Sequence, residues 1–334
     1  MRLLAADVGG TKTFIELIET GPAGMESKLE RRYESELYPT FESMLREFTA
    51  VAGQADVACF AVAGPVVHRS ARVTNLPWLI DADAIAAEFG MQAVILVNDF
   101  YAVAAGVPHL HPGDLRSIHE GKRDTSAPIA ILGAGTGLGE AMVIPSASGW
   151  IVIPSEGGHV DFGPADPTQD LLLTRLRARY GHVSWERVVS GPGLVNILSS
   201  LRDSRPELAV HDFTSGAPED DLPALIAHFD AEGNPLARAA FDVFLSAFGA
   251  EAGNLALKCI ARGGVFLAGG IGAKNAERLA DGVFMKAFAE KGRFRDLVLE
   301  CPVDLITNPR VGLIGAAHLA MSARTPRHPE GAPR

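Results

Sequence analysis

The sequence predicts an internally duplicated α/β fold of about two domains, and three observations support this prediction. Two glycine loops lie about 125 residues apart, and each stands between two apolar, strand-like runs. Apolar runs and helical patterns alternate along the rest of the chain. The length of 334 residues is sufficient for two domains that each bury a core.

The elements follow from hydrophobic periodicity. Short apolar runs predict strands at Leu3–Ala6, Thr13–Ile18, Val57–Val62, Val94–Val97, Ile129–Leu132, Ala141–Ile144, Val265–Ala268 and Val303–Ile306. Helical spacing predicts helices at Phe41–Ala52, Asp83–Phe89, Thr168–Tyr180, and from Pro235, capped by Asn234, to about Ile260. An apolar helix near Val311–Met321 follows the second half, and we expect it to fold back onto the N-terminal half. The polar stretch His111–Pro128 is interpreted as a connector or surface loop.

Both glycine loops are predicted to be tips of β-hairpins. The first reads Asp7-Val8-Gly9-Gly10-Thr11-Lys12, and the second reads Gly133-Ala134-Gly135-Thr136-Gly137-Leu138-Gly139. A P-loop or dinucleotide fingerprint requires a helix after the glycines, whereas strands flank these loops on both sides. Glycine at a tip permits positive φ and lets backbone N–H groups face one anion. Two such loops, each with a threonine, favour a phosphate clamp made of two halves.

Asp7 directly follows the first predicted strand, at the mouth of the first loop. Its carboxylate is a candidate Mg²⁺ ligand, directly or through water, and the alternative is an Asx-turn residue that closes the hairpin.

Asn98 and Asp99 follow a wholly apolar strand and therefore lie at its carboxyl end, where α/β sheets bind ligands. Asp99 is a candidate acceptor for the proton of a hydroxyl nucleophile, and Asn98 could hold a neighbouring hydroxyl. The alternative is that one of them caps the next helix.

The segment Ser155–Asp161 places Glu156 and His159 in one glycine-containing loop, which suits recognition of a polyol. The alternative is a tight surface turn with solvated charges. Glu186 follows Ser184 in a predicted helix start and could be only a residue favoured by the helix dipole. Gly269-Gly270 ends a third glycine-flanked strand, where a nucleoside could lie against backbone, or where an ordinary strand-to-helix turn needs no ligand.

Composition excludes several classes of function. The net charge of −10 argues against a nucleic-acid partner or an anionic membrane surface, but not against a nucleotide ligand. Three scattered cysteines suggest a reducing cytoplasm and no metal cluster. No apolar run approaches the roughly 18 residues that a membrane helix requires. Because the first strand begins almost at once, no signal peptide is expected.

Together these segments resemble the bacterial glucokinase family of the actin-like, sugar-kinase ATPase superfamily. The ordered matches, from residue 7 to about residue 318, include Asp7–Lys12, Thr74–Trp78, Val97–Phe100, Gly133–Gly139, Glu156–Phe162, Gly181–Ser184, Glu186–Val188, Ser190–Gly193, Gly253–Leu257 and Gly264–Ile271. The resemblance implies a two-domain actin-like (ribonuclease-H-like) α/β ATPase fold with duplicated β-sheet cores and an interdomain cleft. It implies a small domain of residues 1–109 plus about 309–323, a large domain of 110–308, and a flexible tail at 324–334.

The resemblance also implies ATP-dependent phosphorylation of glucose at O6, with Mg²⁺, by a cytoplasmic homodimer. Asp99 would be the general base, and Asn98, Asp99, Glu156, His159 and Glu186 would bind the sugar. The implied ATP-binding residues are Asp7, Gly9, Gly10, Thr11, Gly133, Gly135, Thr136, Gly137, Gly269 and Gly270, with Asp7 also holding Mg²⁺. It assigns no role to Lys12, where some members have asparagine, and no adenine contact after Ile271, where many have proline and arginine.

The sequence alone leaves three rival functions open. One is a kinase for another hexose, such as fructose, mannose or an amino sugar. A second is a sugar-sensing regulator, which would need an N-terminal DNA-binding module, whereas only six residues precede Asp7. A third is a filament- or chaperone-like ATPase, which would not need Asn98-Asp99 or Glu156 and His159.

Overall fold

The computed structural model describes residues 1–22, 24–209 and 213–323. Its strands are β1 (Arg2–Val8), β2 (Lys12–Gly21), β3 (Gly24–Glu34), β4 (Val57–Val62), β5 (Val66–Val67), β6 (Ser70–Arg72), β7 (Leu79–Asp81), β8 (Ala93–Asn98), β9 (Leu115–His119), β10 (Ile129–Ala134), β11 (Leu138–Ser146), β12 (Gly149–Ser155), β13 (Gly264–Ala268) and β14 (Val303–Ile306). Its helices are α1 (Phe41–Ala52), α2 (Ala82–Phe89), α3 (Asp99–Gly106), α4 (Pro167–Tyr180), α5 (Gly191–Ser204), α6 (Leu222–Ala231), α7 (Pro235–Cys259), α8 (Gly270–Lys274), α9 (Ala276–Leu279), α10 (Val283–Ala289), α11 (Arg295–Leu299) and α12 (Val311–Ser322). The predicted tail, residues 324–334, lies outside the described residues.

Two sheets repeat one topology, which confirms the predicted duplication. The first has the order β3-β2-β1-β4-β8, and the second has the order β12-β11-β10-β13-β14-β9. In each sheet an antiparallel hairpin is followed by two parallel strands, as in β1–β2 with β4 and β8, and in β10–β11 with β13 and β14. The glycine loops join equivalent strands of the two sheets.

The chain divides into two compact units. Unit 1 comprises Met1–His111 and the C-terminal segment from Asn308, and it contains the first sheet. One face of that sheet packs on α1 and α2 around Phe41, Phe48 and Phe60. Ala-rich α12 covers the other face, with Leu313 and Ala316 against the β1 residue Leu3. The helix at the end of the chain therefore returns to the N-terminal unit, as the sequence analysis predicts.

Unit 2 comprises Pro112–Thr307 and contains the second sheet. Its core lies between that sheet and helices α4 to α7, and it includes the phenylalanines 241, 244 and 248 of α7. The Asn234 side chain accepts hydrogen bonds from the N–H groups of Leu236 and Ala237, which confirms the predicted cap of this 25-residue helix. Gly249 and Gly253 of α7 lie against the carbonyl groups of Phe284 and Phe288 on α10, so small residues permit close helix packing there.

The predicted strands and helices are all present, but some elements were missed. The stretch His111–Pro128, interpreted as a connector, contains β9, which pairs antiparallel with β14 at one edge of the second sheet. Strands β3 and β12 extend the two hairpins outward. Strand β3 is rich in charged residues and β12 contains a continuous apolar run, so neither has a clear period-two pattern. A strand of this kind is specified by its neighbour's free backbone groups more than by its own side chains.

Candidate active site

The parallel strands of unit 1 bring Asp7, Asn98 and Asp99 to one edge of the sheet. Asp7 on β1 is in register with Ala61 on β4, and Val62 on β4 is in register with Asn98 on β8. Asp99 follows as the first residue of α3. Because these strands run in the same direction, their carboxyl ends meet, and two carboxylates share one small region of the unit.

Asp99 is a partly buried carboxylate with defined hydrogen bonds. Its Oδ1 accepts from the Asn98 Nδ2 at 2.9 Å and from the Phe100 N–H at 2.8 Å. Burial raises the pKa of Asp99, and the Phe100 N–H and the Asn98 amide partly offset this rise. A carboxylate of raised pKa is a stronger base than an exposed one, so this residue suits proton abstraction from a hydroxyl group.

Asn98 is the N-cap of α3, which is the structural alternative that the sequence left open. Its Oδ1 accepts from the N–H groups of Phe100 and Tyr101, at 2.9 and 3.2 Å. Its Nδ2 donates to Gly64 O at 3.3 Å in addition to Asp99. The side chain is nevertheless exposed, so capping and contact with a ligand are compatible.

Asp7 is a largely buried carboxylate with a strongly raised pKa. Burial, and secondarily the neighbouring Asp99 carboxylate, raise the pKa of Asp7 from 3.8 to about 6. Gly312 of α12 makes room for this side chain, since a Cβ there would lie 3.1 Å from the Asp7 Oδ2. Two neighbouring, largely buried carboxylates attract a hard cation, which takes oxygen ligands.

Asp7→Asn is therefore expected to stabilise the ligand-free protein at neutral pH. In the folded protein Asp7 keeps its proton up to about pH 6, so the wild type loses stability as the pH rises through that value. The substitution removes this loss, a gain of up to about 3 kcal/mol at pH 7 that shrinks toward pH 4. Thermal melting of both proteins across pH 4 to 8 measures the difference. A gain that does not change with pH would contradict the assignment.

The first glycine hairpin is held by Ser35. Its Oγ donates to Gly9 O at 2.8 Å, and its N–H donates to Thr11 O at 2.9 Å. The Gly9 N–H closes the turn onto Lys12 O at 3.0 Å. The exposed Thr11 and the backbone of Gly10 remain at the surface of unit 1.

The hairpin tips do not use the positive φ that glycine permits. None of the loop glycines Gly9, Gly10, Gly135 and Gly137 has φ in the left-handed region. Close approach of neighbouring atoms explains three of them instead. A Cβ at Gly9 would lie 2.9 Å from Lys12 O, one at Gly10 would lie 2.8 Å from Thr74 O, and one at Gly137 would lie 2.5 Å from the Glu186 Oε2.

The second glycine hairpin is tied to the elements that follow it in unit 2. Gly133 pairs with Gly139 in the β10–β11 ladder, and Thr136 is exposed at the tip. The Gly135 N–H donates to Gly137 O at 2.9 Å, and Gly191 at the start of α5 donates to Gly135 O at 2.8 Å. A Cβ at Gly135 would meet nothing within 4 Å, so packing inside the unit does not explain that glycine.

Glu186 lies beside this hairpin, in a short 3₁₀ turn rather than the first turn of an α-helix. Its Oε2 accepts from the Leu138 N–H at 2.9 Å, and its Oε1 lies 4.0 Å from the His159 Nδ1. The Glu156 Oε2 in turn lies 3.9 Å from the His159 Nε2. Unit 2 therefore brings Glu156 and His159, which the loop pattern suggested for polyol recognition, together with Glu186, which only the family resemblance added.

Gly269 and Gly270 adjoin the same hairpin. Gly269 has φ of +92°, and a Cβ there would overlap the Ala134 carbonyl, so this glycine is required by the backbone itself. Gly270 begins α8, and a Cβ there would meet nothing within 4 Å. The predicted strand-to-helix turn is present, and it leaves open space beside the second glycine.

Sequence reasoning missed two residues near these groups. Ser35 is fully buried and stands more than twenty residues from the loop it supports, so no local pattern reveals it. Glu140 directly follows the second glycine loop and is only 2% exposed. An acidic residue within an otherwise apolar strand was the available signal, because such residues are rarely buried without a reason.

Among the described residues there is neither a ready-made metal cluster nor a membrane-spanning helix. Over residues 1–22, 24–209 and 213–323, no group of three or more His, Cys, Asp or Glu side chains is placed to hold a metal ion by itself. Within the same ranges no helix has both the length and the apolar character needed to cross a membrane.

Comparisons with known proteins identify glucokinases as relatives over nearly the whole chain. The family model described as Glucokinase matches residues 4–323. A glucokinase from Trichormus variabilis is 41% identical over 333 residues, covering 94% of this chain and 97% of that protein. A glucokinase from Synechocystis is 41% identical over 344 residues, covering 95% and 97%. The crystal structure of a glucokinase from an Antarctic psychrotroph is 29% identical, with a TM-score of 0.85 over 96% of this chain and 99% of that one.

Proposed function

This chain belongs to the glucokinase family and is a hexose kinase with the actin-like ATPase fold, and we propose that Asp99 is the general base of its phosphoryl transfer. The full reaction that we propose moves the γ-phosphoryl group of ATP to O6 of glucose. The observation that carries the residue assignment is the partly buried Asp99 carboxylate, held at the carboxyl end of β8 with raised pKa.

Asp99 takes the proton of the glucose 6-hydroxyl as O6 attacks the γ-phosphorus. A bond forms between O6 and phosphorus, the bond from phosphorus to the β–γ bridging oxygen breaks, and ADP leaves with that electron pair. In phosphoryl transfer the protein contributes mainly by positioning the reactants and by stabilising charge in the transition state. Asn98 serves this step by donating to the Asp99 Oδ1 at 2.9 Å, which fixes the direction of the carboxylate.

The sugar hydroxyls are bound by Asn98, Asp99, Glu156, His159 and Glu186. Glu156, His159 and Glu186 form a chain of contacts at 3.9 and 4.0 Å, spaced so that a hydroxyl could bridge neighbouring members. Glu186 Oε2 is already held by the Leu138 N–H, so the Oε1 is the atom that remains for the sugar. Carboxylates and imidazole that bond several hydroxyls can discriminate between sugars by about 10⁴-fold or more.

ATP is bound through the two glycine hairpins and the turn at Gly269-Gly270. The loop Asp7–Thr11 and the loop Gly133–Gly137 face the phosphates, and Gly270 lies near the adenosine. Support comes from the open space beside Gly135 and Gly270, where a Cβ would meet no protein atom. Backbone N–H groups of such loops hold anions without a lysine, which agrees with the acidic net charge of the chain.

Mg²⁺ fits the donor set at Asp7. Asp7 and Asp99 are neighbouring carboxylates whose mutual repulsion and burial favour a divalent cation. Mg²⁺ commonly binds through one or two carboxylates, water and substrate phosphates, so a cage made wholly of protein is not required. When bound, it would neutralise charge on the transferred phosphate. Asp7 would hold the ion directly or through water.

A panel of sugars tests the substrate. ADP release is measured with glucose, fructose, mannose and glucosamine at saturating Mg·ATP, with glucose expected to give by far the highest kcat/KM. If another hexose gives a higher kcat/KM, that hexose and not glucose is the substrate. Rapid ATP hydrolysis without any sugar would contradict the proposal, because closure over the sugar should exclude water from the phosphate.

We also propose that the protein is cytoplasmic and forms a homodimer. Three cysteines without a disulfide among the described residues suit a cytoplasmic enzyme. A homodimer is the expected assembly, and light scattering of the purified protein measures its mass directly. A mass of 35.3 kDa would indicate a monomer.

A further inference from the structure

Glu140 is a buried carboxylate of the second sheet. It lies on β11 immediately after the glycine loop and is 2% exposed. Within the part of the chain that the structure describes, neither of its carboxylate oxygens has a hydrogen-bond partner. A buried polar atom without a partner typically costs about 1 to 3 kcal/mol, so its presence in a well-packed unit calls for an explanation.

The Glu140 side chain lies directly beneath the loop that carries Glu156 and His159. A Cβ at Gly157 would overlap the Glu140 Oε2 and lie 2.8 Å from its Cδ. At the next position, a Cβ at Gly158 would overlap the Leu138 carbonyl oxygen. The loop therefore rests on residues 138–140, and Glu140 is the one member of that support whose charge can change.

The charges around Glu140 do not neutralise it. On α7, Glu251 is fully buried, and Lys258 donates to its Oε1 at 3.0 Å. Burial, and secondarily the Glu251 carboxylate, raise the pKa of Glu140 from 4.5 to about 7, which Lys258 only partly opposes. The paired strands β10 and β12 contain no charged residue, and the loop above contributes Glu156 and His159.

We propose that Glu140 is a positioning residue for the sugar, whose protonated form supports Gly157 and so keeps Glu156 and His159 in place for binding. The ionised form requires water or a countercharge, and either one must enter where the loop now rests. Loss of the proton therefore loosens the loop and weakens sugar binding, while Asp99 and the phosphate loops are unaffected. This inference depends on the proposed function, because it presumes that Glu156 and His159 bind the sugar.

The test compares wild type with Glu140→Gln, which has the shape of the protonated side chain and cannot ionise. Glucose KM, kcat and the equilibrium dissociation constant without ATP are measured from pH 6 to 9. We expect the wild-type KM and dissociation constant to rise roughly three- to tenfold across pH 7, since one unit of pKa coupling corresponds to tenfold in affinity. The variant should keep the wild-type pH 6 affinity throughout, with kcat nearly unchanged.

Several outcomes would overturn the inference. One is an equal rise of KM in the variant, and another is weak binding by the variant already at pH 6. If Glu140→Gln does not fold, Glu140→Met replaces it, since it also lacks an ionisable group, and the same flat profile is expected. Glu219→Gln is the matched control, because Glu219 is exposed, and its KM should rise with pH as that of the wild type does.

If the wild type neither binds nor phosphorylates glucose at any pH, the proposed function itself fails. If the wild type binds and phosphorylates glucose, and its pH profile of KM coincides with that of Glu140→Gln, only the role of Glu140 fails.

Discussion

Asp99→Asn is expected to lower kcat by about 10² to 10⁴-fold, the usual contribution of a positioned general base, while glucose still binds. The amide oxygen of asparagine can accept the hydrogen bonds that Phe100 and Asn98 now donate to Asp99 Oδ1. The fold of α3 should therefore survive, and what disappears is the ability to take a proton. Steady-state turnover and calorimetric glucose binding, measured on the same preparation, separate the two effects.

Asp81→Asn is the matched control for this experiment. Asp81 caps α2 through the N–H groups of Asp83 and Ala84, and asparagine caps helices about as well as aspartate. This control should keep wild-type turnover and affinity. Near-wild-type turnover in Asp99→Asn would remove the residue from the mechanism, and loss of glucose binding together with turnover would assign it to binding alone.

Gly315→Ala is expected to destabilise the protein although alanine is the better helix former. A Cβ at Gly315 of α12 would overlap Ala102 O and lie 2.8 Å from the Gly106 N, so it would collide with the backbone of α3. Helix propensity alone would stabilise the variant by about 1 kcal/mol. Overlap with backbone cannot be relieved by rotating a side chain, so we expect a net loss of about 2 kcal/mol or more. The sign of the change in melting temperature decides between the two effects.

The same variant bears on catalysis, because α3 begins at Asp99 and α12 fixes its position. We expect lower turnover at temperatures where the protein is still folded, from displacement of the Asp99 carboxylate. Gly113→Ala is the control, since a Cβ there would meet nothing within 4 Å and its effect should stay within about 0.5 kcal/mol. A melting temperature at or above that of the wild type would show that α3 and α12 are not in close contact.

Much of the fold is predictable because its signals are local. Apolar runs such as Val57–Val62 and the Asn234-Pro235 cap specify their own elements, and the structure has both with those bounds or within one residue. The repeated strand–glycine–strand pattern also predicts the duplicated sheets. Strand β9 was missed because it is specified by pairing with β14, almost two hundred residues away.

The candidate site is predictable in part for the same reason. Asp7, Asn98 and Asp99 were found because polar residues that end apolar strands are visible in the sequence. The electrostatics of these residues could not be predicted, because the raised pKa of Asp7 depends on its burial and on the Asp99 carboxylate at the start of α3. Sequence likewise could not decide between capping and ligand binding for Asn98, whereas the structure has it capping α3 with its side chain exposed.

By itself the sequence determined the paired hairpins, the duplicated α/β fold and the polar residues at the strand ends, because hydrophobic period and turn chemistry are short-range. Tertiary structure alone decided why the loop residues are glycine. The tips do not use positive φ; they are crowded by Thr74, Lys12 and Glu186, or left open at Gly135. It alone also placed Glu140, whose carboxylate has no hydrogen-bond partner among the residues that the structure describes, under Gly157. Such contacts join distant segments, and their geometry exists only once the chain has packed.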